Sequence, residues 1–155
     1  MKTNFTIRQE ESKDFFTVEN LVREAFWNVY QPGCDEHFIV NQYRDNPDFI
    51  KELSLVLELD NKIIGYIMFS KAQIDCDNGT KLDVVTFGPL AIHPDFQRKG
   101  FGKILVDYSL EKAKDLNFNS VVVSPTYVPL AKDILGESNV KIGSVVGFPL
   151  GFENT

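Results

Sequence analysis

The stretch that decides the fold runs from residue 90 to residue 105 and reads LAIHPDFQRKGFGKIL. An apolar run precedes it, and an amphipathic run over residues 103–113 follows. This pattern predicts a strand, a tight turn containing Gly100 and Gly102, and then a helix. The first N–H groups of a helix have no partner within it, and together with the helix dipole they favour anions such as phosphate. The stretch therefore predicts a site for a phosphorylated cofactor at residues 97–102.

The glycine spacing in this turn argues against two common classes of nucleotide site. A dinucleotide-binding turn needs a third glycine three residues after the second, and this chain has Leu105 there. An ATP-binding phosphate loop needs Gly-Lys-Ser/Thr, whereas Ile104 follows Gly102 and Lys103. NAD and ATP are therefore poor candidates for the cofactor.

The same stretch resembles the acyl-CoA motif of the GNAT N-acetyltransferase superfamily. That motif is Gln/Arg-x-x-Gly-x-Gly, placed after a strand that ends in Val/Ile and a His-Pro pair, which is His93-Pro94 here. The resemblance implies that acetyl-CoA is the cosubstrate and that no metal is needed. The pantetheine arm would lie against backbone groups of Leu90, Ala91 and Ile92. The pyrophosphate would be held by the backbone N–H groups of Gln97, Arg98, Lys99, Gly100, Phe101 and Gly102.

Residue types in the turn suit this role. Glycine at 100 and 102 lets a phosphate approach the backbone without a Cβ in the way. Arg98, Lys99 and Lys103 add positive charge beside it. The alternative interpretation is a solvated basic turn that caps a helix.

Candidate catalytic residues follow from the chemistry of acetyl transfer to an amine. The amine must lose a proton, the thioester oxygen must be stabilised, and the leaving thiolate takes a proton from an acid. The resemblance implies that the acid is a tyrosine just after the next strand, near Tyr127. The candidate bases are Asp83 on the motif strand, and Glu36 and His37 in the segment that forms the acceptor pocket in the family. Each has a structural alternative: Tyr127 could cap and pack a helix, and a charge at a helix start could be a dipole partner.

Three further residues are interpreted as structural. His93 precedes proline and is read as a turn residue. Cys34 and Cys76 have no partner in the sequence that would make either a convincing nucleophile.

Hydrophobic periodicity predicts the element order β-α-α-β-β-β-α-β-α-β in one domain, residues 1–155. The fold class is α/β (α+β): a GNAT-like mixed sheet, with an antiparallel N-terminal meander and a parallel βαβ C-terminal part. The predicted strands cover residues 5–8, 54–59, 63–74, 82–93, 120–124 and 140–148. The predicted helices cover residues 15–30, 36–43, 99–116 and 128–135.

The C-terminal part departs from the family pattern. The GNAT resemblance covers about residues 5–123, whereas residues 113–155 resemble an early α-β-α-β section of 2-deoxyribose-5-phosphate aldolase. The most specific part of this second resemblance is the run Val146 to Gly151. The Schiff-base lysine of that aldolase lies downstream of such a segment, so no aldolase chemistry is implied. We interpret the chain as a chimera that lacks the final hairpin strand, and we expect the last strand to leave an open edge that pairs two copies into a homodimer.

Composition limits the partners. The 155 residues carry a net charge of −6, which disfavours nucleic acid and anionic lipid and weakly favours a cationic amine. The two cysteines are far apart, and the sequence shows no signal segment and no run long enough to span a membrane. A cytoplasmic location is therefore expected, with a small-molecule or peptide amine as acceptor.

Two functions are favoured at this point, and an aldolase fragment is a third and weaker alternative. The first is an acetyl-CoA-dependent N-acetyltransferase in which a primary amine attacks directly in a ternary complex. The second is a non-catalytic module that binds CoA or dimerises and has an incomplete acceptor site, because the C-terminal part is atypical. The sequence does not identify the acceptor amine.

Overall fold

A six-stranded mixed sheet forms the centre of the computed structural model, which describes residues 5–116 and 118–145. The strands lie in chain order, and β1 to β4 pair antiparallel while β4, β5 and β6 pair parallel. Their bounds are β1 Phe5–Gln9, β2 Leu55–Leu59, β3 Lys62–Asp75, β4 Lys81–Ile92, β5 Ser120–Val123 and β6 Lys141–Ser144. The predicted element order and fold class are confirmed.

Four α-helices cover the two faces of this sheet. They are α1 Phe15–Phe26, α2 Glu36–Tyr43, α3 Phe101–Asp115 and α4 Val128–Leu135. On β3, Tyr66 and Met68 pack with α1, whereas Ile67 and Phe69 pack with α3 on the opposite face. This alternation follows from the two-residue period of a strand and gives the sheet a core on each side.

The helix after the glycine turn is anchored by an apolar stripe. Phe101, Leu105, Leu110 and Ala113 are all buried, at spacings of three to five residues along α3. Leu105 is fully buried, and burying such a side chain contributes about 1.5–3 kcal/mol. This packing fixes where the N-terminus of α3 lies relative to the end of β4.

Two of the predicted helices are longer than the observed ones, and residues with a positive φ explain both differences. The helix predicted for residues 15–30 ends at Phe26, because Trp27 leaves the helical region and Asn28 has a φ of 56°. The helix predicted from residue 99 begins at Phe101, because Gly100 has a φ of 88°. A helix cannot continue through a residue with positive φ.

Two predictions for the end of the chain reach beyond residue 145, the last residue that the structure describes. The strand predicted for residues 140–148 is observed as Lys141–Ser144, and residues 146–148 lie outside the described residues. The aldolase-like run from 146 to 151 and the missing final hairpin strand also fall there, whereas β6 itself lies at one edge of the sheet within the described residues. In the described part of the chain, no helix is long and apolar enough to cross a membrane.

A buried ionic network ties the end of α2 to the end of β1. The side chains of Arg44 and Glu10 are 6% and 2% exposed, and Arg44 Nη2 donates to Glu10 Oε1 at 2.8 Å. Arg44 also pairs with Glu19 on α1 and stacks 4.0 Å over the Phe15 ring. Ser54 donates to Glu10 at 2.9 Å, so the buried carboxylate is fully engaged. The network holds the α1–α2 segment against the sheet.

A second ion pair gives the fold a defined acid sensitivity. Arg8 Nη1 lies 2.6 Å from Asp14 Oδ2, and this hydrogen bond from Arg8 holds the pKa of the carboxyl below its usual value. The stabilisation is fully present at neutral pH and is lost as the pH falls below about 4, where Asp14 becomes protonated. We expect Asp14→Asn to flatten the dependence of the free energy of unfolding on pH between pH 5 and 3, as measured by urea denaturation. Equal slopes for the variant and the parent would contradict this assignment.

Candidate active site

A cleft opens between β4 and β5 because the two strands pair only briefly. The register has just two pairs, Val85 with Val121 and Thr86 with Val122. Thr86 Oγ1 donates to the Val122 carbonyl at 3.4 Å, at the last point of contact. Beyond it, β4 continues to Ile92 while pairing with β3 alone within the described residues. The C-terminal half of β4 therefore has one side open to a ligand.

Hydrogen-bond alternation decides which backbone groups face this cleft. The His93 N–H donates to the Ile64 carbonyl at 2.9 Å, so Ala91, two residues earlier, also directs its groups to β3. Leu90 and Ile92 then face away from β3, into the cleft. Of the three residues predicted to hold the pantetheine arm, Ala91 therefore has its backbone groups directed into the sheet, while Leu90 and Ile92 have theirs directed into the cleft.

The Ile92 carbonyl, one of the backbone groups that face the cleft, already accepts a hydrogen bond from a side chain. Gln97 Nε2 donates to the Ile92 carbonyl at 2.9 Å. The sequence analysis predicted the Gln97 N–H as a donor to the pyrophosphate, but that N–H donates to the Pro94 carbonyl at 3.3 Å, and the side-chain contact of Gln97 was missed. The unpaired backbone groups predicted for the cleft are thus the N–H and C=O of Leu90 and the N–H of Ile92.

The turn between β4 and α3 presents its N–H groups outward. Arg98 and Gly100 have φ values of 59° and 88°, which turns the backbone sharply before the helix. Within the described residues, the N–H groups of residues 98–103 donate to no acceptor, as expected for a helix start. A Cβ on Gly102 would meet only Ile92 Cγ1 at 3.8 Å, so the space above Gly102 is open. The geometry is that of an anion cradle.

The three basic side chains of the turn differ in their partners. Lys99 Nζ donates to the Asp95 carbonyl at 2.8 Å, and Lys103 Nζ pairs with Asp107 at 2.7 Å. Arg98 lines the cleft and makes no ion pair with any described residue. Arg98 is therefore the cation best placed to meet a phosphate.

Tyr127 lies in the same cleft. It follows β5 through the short turn Pro125–Tyr127, which carries it across from the diverging strand. Its ring packs edge-on against Phe87 at 5.8 Å, and burial raises the pKa of its phenol above the ordinary value. The phenol is therefore protonated at neutral pH. A cavity of about 230 Å³ here is lined by Leu90, Ile92, Phe96, Gln97, Arg98, Gly102 and Tyr127.

The three predicted bases lie outside the cavity that Tyr127 lines. Asp83 is near the start of β4, where Gln73 Nε2 donates to its carboxylate at 2.8 Å, and it lines a different cavity of about 660 Å³. Four residues separate it from Phe87, or roughly 13 Å along a strand. Glu36 and His37 open α2, with Glu36 accepting from the Asp35 N–H at 3.1 Å. The structure brings none of the three to the cavity that holds Tyr127.

Two side-chain contacts escaped sequence reasoning. His93 Nδ1 accepts from the Asp95 N–H, as expected of a turn residue, but its Nε2 lies 3.2 Å from Glu24 on α1. Cys34 has a partner after all, His37 Nδ1 at 3.5 Å, one helical turn away in sequence. Burial raises the pKa of the Cys34 thiol further, which does not favour a nucleophile. No group of three or more potential metal ligands occurs in the described residues.

Comparison with known proteins gives the family. Residues 9–130 match the acetyltransferase (GNAT) family. The fold is similar to a GNAT acetyltransferase from Brucella melitensis in complex with acetyl-CoA, with 25% identity, a TM-score of 0.68, and coverage of 77% of this chain and 74% of that one. It is also similar to a GNAT N-acetyltransferase from Escherichia coli in complex with CoA, with 19% identity, a TM-score of 0.63, and coverage of 95% and 92%.

A shorter similarity confirms the second resemblance. Over 45 residues, 29% of this chain, the sequence is 47% identical to the deoxyribose-phosphate aldolase of Carboxydothermus hydrogenoformans. The chain spans only 20% of that aldolase's length. The length of the match is close to that of the aldolase-like segment predicted over residues 113–155.

The family match covers well over half of the chain and includes β4, the glycine turn and α3. The expected enzyme class, an acetyltransferase, and the expected cosubstrate of that class, acetyl-CoA, both agree with it. This chain belongs to the GNAT family of acetyltransferases.

Proposed function

We propose that this protein transfers an acetyl group from acetyl-CoA to a primary amine by direct attack in a ternary complex. The observation that best supports this proposal is that Tyr127, the open side of β4 and the glycine turn line one cavity. In this proposal the N–H groups of residues 98–103 bind the pyrophosphate, with Arg98 beside it. The pantetheine arm lies along Leu90.

Each step of the transfer then has a group in reach. The amine nitrogen forms a bond to the thioester carbon, and the charge that develops on the carbonyl oxygen is stabilised by the Leu90 N–H. As the C–S bond breaks, the Tyr127 hydroxyl gives its proton to the leaving thiolate. The proton lost by the amine restores the phenol through solvent. Glu36 and His37 would assist only through water, and Asp83 is too far along β4 for this role.

Replacing Tyr127 with Phe is expected to lower kcat about 100-fold without changing the affinity for acetyl-CoA, because the ring still packs on Phe87 but has no proton to give. Steady-state thiol release over a panel of amines measures kcat, and calorimetry measures the affinity. The matched control is Tyr108→Phe on α3, which removes a partly exposed hydroxyl outside the cavity. A full rate in Tyr127→Phe would exclude Tyr127 as the acid.

Steady-state kinetics with both substrates test whether the amine attacks directly in a ternary complex. Initial rates at several concentrations of both substrates should give intersecting double-reciprocal lines, as a ternary complex requires. Parallel lines would indicate an acetyl-enzyme intermediate instead, and would contradict direct attack.

The alternative, a non-catalytic CoA-binding or dimerising module, is favoured by the aldolase-like C-terminal part. We propose a cytoplasmic homodimer for either function, with β6 as the pairing strand. A turnover assay distinguishes the two functions, because the module would bind CoA but acetylate no amine. A monomer by light scattering at high protein concentration would contradict the dimer.

A further inference from the structure

His93, which directly follows β4, uses both of its ring nitrogens to join α1 to the turn after β4. Its Nδ1 accepts a hydrogen bond from the Asp95 N–H at 3.2 Å, and its Nε2 lies 3.2 Å from Glu24 Oε2 on α1. A backbone N–H can only donate, so Nδ1 is the acceptor and the neutral ring carries its proton on Nε2. Nε2 then donates to the Glu24 carboxylate, and the ring is fixed from both sides.

The backbone of His93 is fixed as well. Its N–H donates to the Ile64 carbonyl on β3 at 2.9 Å, and its carbonyl accepts from the Phe96 N–H at 2.8 Å. His93 thus anchors the short turn Pro94–Phe96, the first element after β4, to the sheet. Side chain and backbone together leave this residue little freedom to move independently of α1 and β3.

Aromatic contacts extend this anchoring to the start of α3. The His93 ring packs edge-on against Phe96 with ring centroids 5.8 Å apart, and Phe96 packs edge-on against Phe101 at 6.3 Å. Phe101 is buried and is the first residue of α3. Lys99 Nζ also lies over the Phe96 ring, 5.3 Å from its centroid. The turn that presents the N–H groups of residues 98–103 is therefore held on both sides, by His93 before it and by Phe101 in the helix.

His93 can act on a ligand only through this turn. Among the described residues, Phe96 and Gln97 line the cavity that Tyr127 shares, and His93 does not. The side chains of His93 and Glu24 are 31% and 52% exposed, so their contact contributes little to the stability of the fold. Its effect is expected in ligand affinity instead, because donors that are already in place need not be ordered when a ligand binds.

We infer that His93, held by Glu24, is a positioning residue of the cosubstrate site. It keeps the turn between β4 and α3 in the geometry in which the N–H groups of residues 98–103 meet the pyrophosphate of acetyl-CoA. This inference rests on the pyrophosphate site of the proposed function, and it does not depend on which amine is acetylated. Without the contact, binding has to order the turn, so the affinity for acetyl-CoA falls while the rate at saturation stays nearly the same.

Alanine variants of both partners test this inference, with the affinity for acetyl-CoA measured by calorimetry. We expect His93→Ala to weaken binding about tenfold and Glu24→Ala about threefold. Adding Glu24→Ala to His93→Ala should weaken binding no further, because the contact is already lost. On any amine that the parent acetylates, the KM for acetyl-CoA should rise in both single variants while kcat stays within about twofold.

Amide variants separate the roles of the two ring nitrogens. In His93→Asn the side-chain oxygen can still accept from the Asp95 N–H, as at a helix N-cap, but the side chain is too short to reach Glu24. In His93→Gln the longer amide can still donate to Glu24. Each should recover part of the affinity lost in His93→Ala, and Glu24→Gln should recover most of that lost in Glu24→Ala. The matched control is Glu52→Ala, which removes an exposed carboxylate that forms no ion pair with any described residue.

The outcomes separate this inference from the proposed function. The Tm shows whether each variant is folded, and if His93→Ala does not fold, the difference between Glu24→Ala and Glu24→Gln decides. Parent-like affinity in the folded alanine variants overturns the inference and leaves the cosubstrate site intact. A lower kcat with unchanged affinity also overturns it. A parent protein that does not bind acetyl-CoA overturns the cosubstrate site and this inference together, whereas binding without any acetylated amine contradicts only the transfer.

Discussion

Replacing Gly102 with Glu is expected to lower the affinity for acetyl-CoA at least about 100-fold, a loss of roughly 2.7 kcal/mol. The new carboxylate would stand in the open space above the turn, where the N–H groups of residues 98–103 face outward. It would repel the pyrophosphate and compete for the same donors. Isothermal titration with acetyl-CoA measures the change.

The fold should tolerate this substitution, which makes the result easy to interpret. A side chain at 102 meets Ile92 at an ordinary 3.8 Å, and an acidic residue in the first turn of a helix is favourable. We therefore expect the Tm to be unchanged or higher. Gly102→Ala is the matched control, because it adds the Cβ without the charge and should cost much less affinity. Equal affinities for the Glu and Ala variants would contradict an anion site at this turn.

Replacing Arg44 with Met is expected to lower the free energy of unfolding by about 3–5 kcal/mol, the largest effect on stability that we predict. The substitution leaves Glu10, whose side chain is 2% exposed, as a buried carboxylate without its cation. It also removes the contact with Glu19 and the stacking on Phe15. Urea denaturation followed by circular dichroism measures the loss.

Two further variants identify the cause. Lys13→Ala removes an exposed ion pair with Glu11, and should leave the free energy of unfolding almost unchanged. Combining Arg44→Met with Glu10→Gln removes the buried charge as well and should recover part of the stability. A loss below about 1 kcal/mol for Arg44→Met would mean that the pair does not hold the α1–α2 segment.

The sequence predicted those features that depend on local pattern. Strand and helix order followed from periodicity, and the glycine turn from its place between a strand and a helix, whereas Tyr127 was implied by the family resemblance. The structure places Tyr127 in the same cavity as the turn, which the element order made plausible but could not demonstrate.

Contacts between distant segments could not be predicted in the same way. The pairing of His93 with Glu24 depends on how α1 crosses the sheet, and the position of Asp83 depends on where β4 and β5 part. The bond from Gln97 to the Ile92 carbonyl depends on the short turn Pro94–Phe96, which brings Gln97 back toward the end of β4. A single sequence specifies these geometries only through the complete fold.

The most direct test of acetyl transfer is mass spectrometry of the products. The protein is incubated with acetyl-CoA and a panel of primary amines that includes phenethylamine and spermidine. We predict an amine heavier by one acetyl group, formed together with an equal amount of free CoA, and a strong decrease of both products in Tyr127→Phe. Saturable binding of acetyl-CoA with no acetylated amine from any member of the panel would contradict the proposed function and favour the non-catalytic module.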